Sequence, residues 1–110
     1  MNEDTINIIE ADGLFLELLP IRPDGLYGPE QAALSKSFIF YAKRHGIEGE
    51  SLSSIRAAAN NKYPTKAERI GVVLQALNIL LNQLEMDPYD KGVVEKAKTA
   101  LETQVRAAAR

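Results

Sequence analysis

The clearest alternation of apolar and polar positions runs from Lys66 to Met86, KAERIGVVLQALNILLNQLEM. Ile70, Val73, Leu74, Leu77, Leu80, Leu81 and Leu84 return every three or four residues, so on a helix they share one face. Val72, Ala76 and Ile79 widen that face and leave a polar strip of Gln75, Asn78, Asn82 and Glu85. Thr65 and Glu68 stand in front with capping-box spacing, and Asp87-Pro88 closes the run. At 1.5 Å per residue such a helix is about 30 Å long, close to the width of a small domain. The pattern predicts a long central helix over about 66–86.

Residues 5–19, TINIIEADGLFLELL, support two readings. As a helix capped by Asp4 or Thr5, the stretch carries Gly13 in its middle at about 1 kcal/mol. As two strands, Ile6 and Ile8, then Leu14, Leu16 and Leu18, alternate around the turn-forming pair Asp12-Gly13. A two-stranded ribbon is marginal alone and would have to lie on helices. The helix is preferred, with an N-terminal β-hairpin at 5–19 as the alternative. Pro20, Pro23 and Pro23-Asp24-Gly25 then predict a loop with a turn.

Three further helices follow from punctuation and period. Pro29 suits a first helical position and Glu30 a positive helix end, and Leu34, Phe38, Tyr41 and Ala42 form an inner stripe. Lys43, Arg44 and His45 crowd the last turn, Gly46 takes the left-handed position after it, and Ile47 folds back toward Tyr41 or Ala42. A short helix from Ser51 to Asn60 turns Leu52, Ile55 and Ala59 inward. The last helix has Asp87 as cap, Pro88 at its first position and a thin stripe of Val94, Ala97, Leu101, Val105 and Ala108. So thin a stripe either packs closely on the central helix or meets another copy of the chain. The fold class expected is mainly α, a compact bundle of four or five helices around residues 66–86.

Length and composition narrow this picture. With 110 residues, 45% of them hydrophobic, residues 1–110 make a single helical domain with one core. Absence of Cys removes disulfides, thiolate metal sites and cysteine nucleophiles. No basic, apolar, small-residue leader is seen at the start of the chain, so no signal peptide is expected. Gln75, Asn78 and Asn82 interrupt the most apolar run, against a membrane span, so a soluble, cytoplasmic protein is expected. The net charge of −2 is unevenly spread. Residues 1–35 carry Glu3, Asp4, Glu10, Asp12, Glu17, Asp24 and Glu30 against Arg22, a balance of −6. Residues 36–69 carry Lys36, Lys43, Arg44, Arg56, Lys62, Lys66 and Arg69 against Glu48, Glu50 and Glu68, a balance of +4, and the remainder is neutral. The two regions either attract each other within the fold or serve different partners, with ordinary solvated faces as the simplest account.

Chemistry finds few candidates. His45 is the only histidine, and its place at a helix C-terminus already accounts for it. Ser35, Ser37 and the serines of 51–54 lack the glycine pattern of a nucleophile elbow. Phosphate-loop motifs are absent, and the acids at 10, 12 and 17, or 24 and 30, do not follow calcium-loop spacing. We therefore expect no catalytic, cofactor-binding or metal-binding residues, and no enzyme.

One constellation points to nucleic acid. Ala42, Gly46, Ile47, Leu52 and Ile55 have the spacing of two helices crossing at a glycine turn, and the sequence from 38 to 57 resembles helix-turn-helix regulators. The resemblance implies DNA contacts from Lys43, Arg44, Ser53, Ser54, Arg56 and Lys62, although Glu48, Gly49 and Glu50 would open the second helix. YAKRHGIEGESLSSIRAAA with KYPTKAERIGVVLQAL is similar to the start of Tet-repressor-family proteins, but 59–63 leaves no room for that family's recognition helix. DGLYGPEQAAL, through Asp24, Gly25 and Glu30, resembles the helix start of tellurite-resistance TerB-like domains. These likenesses give the same residues different roles, and no family is assigned. The leading expectation is a small non-enzymatic regulatory or adaptor protein acting by protein–protein contact and self-associating as a homodimer or other homo-oligomer. Phe15, Leu16, Phe38, Phe40 and the two-sided helix 66–86 supply apolar surface for it. The alternative is a helix-turn-helix DNA-binding regulator using the basic segment 36–69.

Overall fold

The computed structural model describes residues 2–23 and 25–108, which form five α-helices and no strand: α1 (Glu3–Leu18), α2 (Gly28–Arg44), α3 (Gly49–Lys62), α4 (Lys66–Gln83) and α5 (Pro88–Ala108). The helix α1 lies against α2, α3 and α4, while α5 packs on α4 and α2. The Cα radius of gyration of 13.1 Å is that of a compact chain of this length.

The alternative hairpin at 5–19 is not formed; the segment is one helix. It begins earlier than Asp4 or Thr5, because the Asn2 side chain accepts the Asp4 N–H at 2.8 Å and serves as N-cap. A hairpin would offer its apolar residues one sheet face, whereas the helix offers them three neighbours at once. Ile8, Ile9, Leu14, Phe15 and Leu18 are all buried. Gly13 is the point where α3 crosses: a Cβ there would lie 2.4 Å from the Arg56 carbonyl oxygen. The residue that reads locally as a turn is a close-approach residue. The C-terminal carbonyls of α1 are met by side chains from elsewhere, Gln104 Nε2 donating to Leu18 O (2.9 Å) and Gln31 Nε2 to Leu19 O (2.8 Å).

This enclosure shifts the centre of the fold. The predicted central helix exists as α4, with the Thr65–Glu68 capping box formed. It stops at Gln83 rather than Met86. Asp87 precedes a proline and caps α5 through the Asp90 N–H (2.8 Å), so the chain must leave the helix before it. Leu84 is extended, and alternation then places both Leu84 and Met86 against the core. The wide apolar face of α4 is covered by α1 on one side and α5 on the other, so α1 is the more enclosed helix. In α5, Val94, Ala97 and Leu101 are buried against the bundle, whereas Val105, beside Leu74 of α4, and Ala108 are exposed.

The helix α2 ends as its sequence predicts. Ile47 N–H donates to Ala42 O and Gly46 N–H to Lys43 O, both at 3.0 Å, with Gly46 at φ +82°, a complete Schellman stop. Ile47 closes a small second core with Ile9, Ala42 and Leu52. Gly49 also has positive φ, +64°, so the glycine that opens α3 turns the chain into the helix. The loop 19–27 is pinned by the buried Leu19 and Leu26, and Gly25 N–H donates to Arg22 O at 3.1 Å. The remainder of that predicted turn falls on Asp24, outside the described residues.

Candidate functional site

Two features combine charge with unusual burial. The first is the seam between α1 and α3. Because α1 is enclosed, Glu10 and Asp12 are almost fully buried, and buried carboxylates require partners. Asp12 accepts from Ser35 Oγ at 2.7 Å and from Arg56 Nη1 at 2.8 Å. Glu10 accepts from Tyr63 OH at 3.0 Å and pairs with Lys62 Nζ at 2.8 Å. Arg69 pairs with Glu17 and donates to the backbone carbonyls of Tyr63 and Asn60. The hydrogen bond to Glu10 holds the Lys62 ammonium above its ordinary pKa. Burial, then the bond to Glu10, raises the Tyr63 phenol. The acidic front and basic middle of the chain therefore meet each other within the fold.

The six residues of the nucleic-acid reading are divided by this arrangement. Lys43 and Arg44 are exposed at the end of α2, and Ser53 and Ser54 are exposed on α3. Arg56 and Lys62 point to α1 and are held by its carboxylates. Connected by residues 45–48, α2 and α3 follow each other as a helix-turn-helix would, but α3 packs mainly on α1. His45 caps α2, its Nδ1 2.9 Å from Tyr41 O and its ring stacked on Tyr41 at 4.3 Å. Of the Asp24–Gly25–Glu30 motif, Asp24 lies outside the described residues. Glu30 accepts from Lys96 Nζ and from the Tyr27 N–H, both at 2.8 Å, which lowers its pKa, with the bond to Lys96 the larger cause.

The second feature is the outer face of α2. Leu34, Phe38, Tyr41 and Ala42 are buried, and Phe38 meets Phe15 edge-to-face at 5.6 Å. That inner stripe determines what faces outward: Phe40 is two residues, about 200° of rotation, from Phe38. Phe40 is 52% exposed. It borders two adjoining grooves. One is lined by Ala32, Ser35, Lys36, Ile39 and Lys43 with Phe40. The other lies between α2 and the segment leading into α5, where Phe40 and Lys36 stand beside Met86, Glu85, Asp87 and Asp90. The Arg44 guanidinium sits 5.9 Å from the Phe40 ring centroid. Among the described residues, Lys36 and Lys43 join no ion pair.

Phe40 and Lys43 are visible in the sequence as surplus hydrophobe and candidate cation. The acids of 85–90 are not connected to them by any local signal, because their approach depends on α4 and α5 packing beside α2. Nor could spacing pair Tyr63 with Glu10. No protein-family model matches the chain, and no curated protein or solved structure matches it significantly.

Proposed function

We propose that this chain is a small non-enzymatic regulatory or adaptor protein acting by protein–protein contact, with the outer face of α2 as the contact surface. The observation that carries the reading is Phe40, half exposed between two grooves on a helix whose opposite face is committed to the core. About 100 Å² of the residue faces water. Covering that area is worth about 2.5 kcal/mol at 25 cal/mol per Å². The other surplus hydrophobes divide: Phe15 and Phe38 fill the core, and Leu16 is exposed on α1. The two-sided face of α4 is taken up by α1 and α5, which supports a contact surface on α2 rather than α4.

The test compares affinity purifications from the native host using the wild-type chain and Phe40→Asp. The partner recovered with the wild type should be lost with the variant, whose fold circular dichroism would verify. Identical recoveries with a folded variant would sink the reading.

A DNA-binding helix-turn-helix regulator is the second reading, supported by the α2–turn–α3 connection and by Lys43 and Arg44 beside an exposed aromatic ring. Against it stand Arg56 and Lys62, engaged by buried carboxylates, and the exposed Glu48 and Glu50 at the start of α3. Heparin chromatography separates the readings. The contact reading expects no retention at low salt; retention that falls steeply as salt rises, through counterion release, would favour nucleic acid.

A further inference from the structure

We infer that the occupant of the α2 face is a second copy of this chain, related by a two-fold axis passing near Phe40. The inference rests on the contact reading above and adds the identity of the partner. Its basis is the sign of the charges on the two flanks of Phe40. One flank carries Lys43, with Arg44 against the ring and Lys36 on the ridge shared by both grooves. The other groove carries Glu85, Asp87 and Asp90. A polyanion such as nucleic acid would meet those acids, and an acidic peptide would be repelled by the same groups. A polycation would be repelled by the lysines. The partner that fits must itself carry both signs on either side of an apolar anchor.

This surface meets that requirement. A half-turn about an axis at Phe40 lays the lysine flank of one copy over the acidic flank of the other, and the relation holds in both directions. The two Phe40 rings meet at the axis, where an offset or edge-on contact is the favoured aromatic geometry. Ala32, a small exposed residue lining the same groove, lets the two α2 helices approach. The lysines without an internal ion pair then find their counter-charges across the interface.

Charge reversal tests this directly, with mass in solution read by light scattering or sedimentation. The wild-type chain should show twice the monomer mass at high micromolar concentration and dissociate as salt rises. Phe40→Asp should weaken association about a hundredfold. The double variants Lys36→Glu/Lys43→Glu and Glu85→Lys/Asp90→Lys should each be monomeric. Mixed in equal amounts, they should form a heterodimer, because each then presents the sign that the other lacks. Asp87 is left unchanged because it caps α5. The mixture keeps the test sharp even where Phe40→Asp fails to fold. A wild-type chain that stays monomeric, or double variants that dimerise as the wild type does, overturns the inference. Neither result touches the broader contact reading, which fails when a folded Phe40→Asp retrieves the same partners as the wild type.

Discussion

At the scale of single residues, Gly13 shows how one amino acid can carry opposite meanings. In a helix interior glycine is worse than alanine by about 1 kcal/mol, so Gly→Ala ordinarily stabilises. At Gly13 the added Cβ would stand 2.4 Å from the Arg56 carbonyl oxygen and 2.8 Å from its Cγ. We expect Gly13→Ala to destabilise by about 1–3 kcal/mol, the range of an overpacked core. Gly71 in α4 and Gly92 in α5 have no atom within 4 Å of such a Cβ. Alanine at either should stabilise by up to about 1 kcal/mol. Urea denaturation of the three variants checks the contrast, and a stabilised Gly13→Ala would refute the close crossing. The buried carboxylate of Asp12 makes a second prediction. Its side chain is 2% exposed and that of Arg56 is 41% exposed. Removing the cation by Arg56→Ala should cost about 2 kcal/mol, below the 3–5 kcal/mol of a fully buried pair because water reaches the arginine. The denaturation midpoint measures this too.

At the scale of elements, α3 differs from its neighbours. It buries only Leu52 and Ala59 fully, with Ile55 half covered, and Arg56 and Lys62 add ion pairs to its apolar packing on α1. Helices with little buried apolar area open at lower free energy than the global unfolding. Native-state hydrogen exchange should therefore find the amides of α3 exchanging first among α1, α3 and α4, with α1 and α4 protected to near the global limit. Equal protection in α3 and α1 would show that the ion pairs, rather than apolar burial, set local stability. The sequence makes much of this legible. The capping box at Thr65, the Schellman stop at Gly46 and the inner stripe of α2 are all readable, because each depends on residues within one or two turns. The end of α4 falls three residues before the one its pattern predicts, because a side-chain stripe continues through Leu84 and Met86 whether the backbone is helical or extended. There the need of α5 for its Asp87 cap decided the boundary.

At the scale of the whole molecule, stability should depend on pH at both ends of the range. Glu30 is held below its ordinary value of 4.5, chiefly by its hydrogen bond to Lys96 and then by the Tyr27 N–H. A depressed carboxyl contributes stability that is full above the ordinary value and is lost as pH falls through the folded one. Lys62 and Tyr63 are raised above 10.5 and 10.0, Lys62 mainly by Glu10 and Tyr63 by burial and then Glu10. Raised groups contribute below the ordinary value and lose that contribution as pH rises through the folded one. Urea midpoints should be level through neutral pH and fall on both sides. Lys96→Ala should flatten the acid limb, and Glu10→Gln the alkaline limb. An unchanged alkaline limb in Glu10→Gln would remove the Glu10–Lys62–Tyr63 cluster from the account.

The Thr65 cap of α4, the Gly46 stop of α2 and the inward residues of both helices were determined by the sequence itself, since the 3.6-residue period and the capping chemistry act over a few positions. It also held the ingredients of the contact face, Phe40 with Lys36 and Lys43. Which helix is enclosed, and what its acids meet, only the tertiary structure decided. Arg56 reaches Asp12 across 44 positions, and Tyr63 reaches Glu10 across 53. The acids of 85–90 come beside Phe40 only because α4 and α5 carry the chain back along α2. No local pattern encodes such meetings. They arise when amphipathic faces are buried together, and that packing makes α1, with its glycine and its carboxylates, the most enclosed helix of the fold.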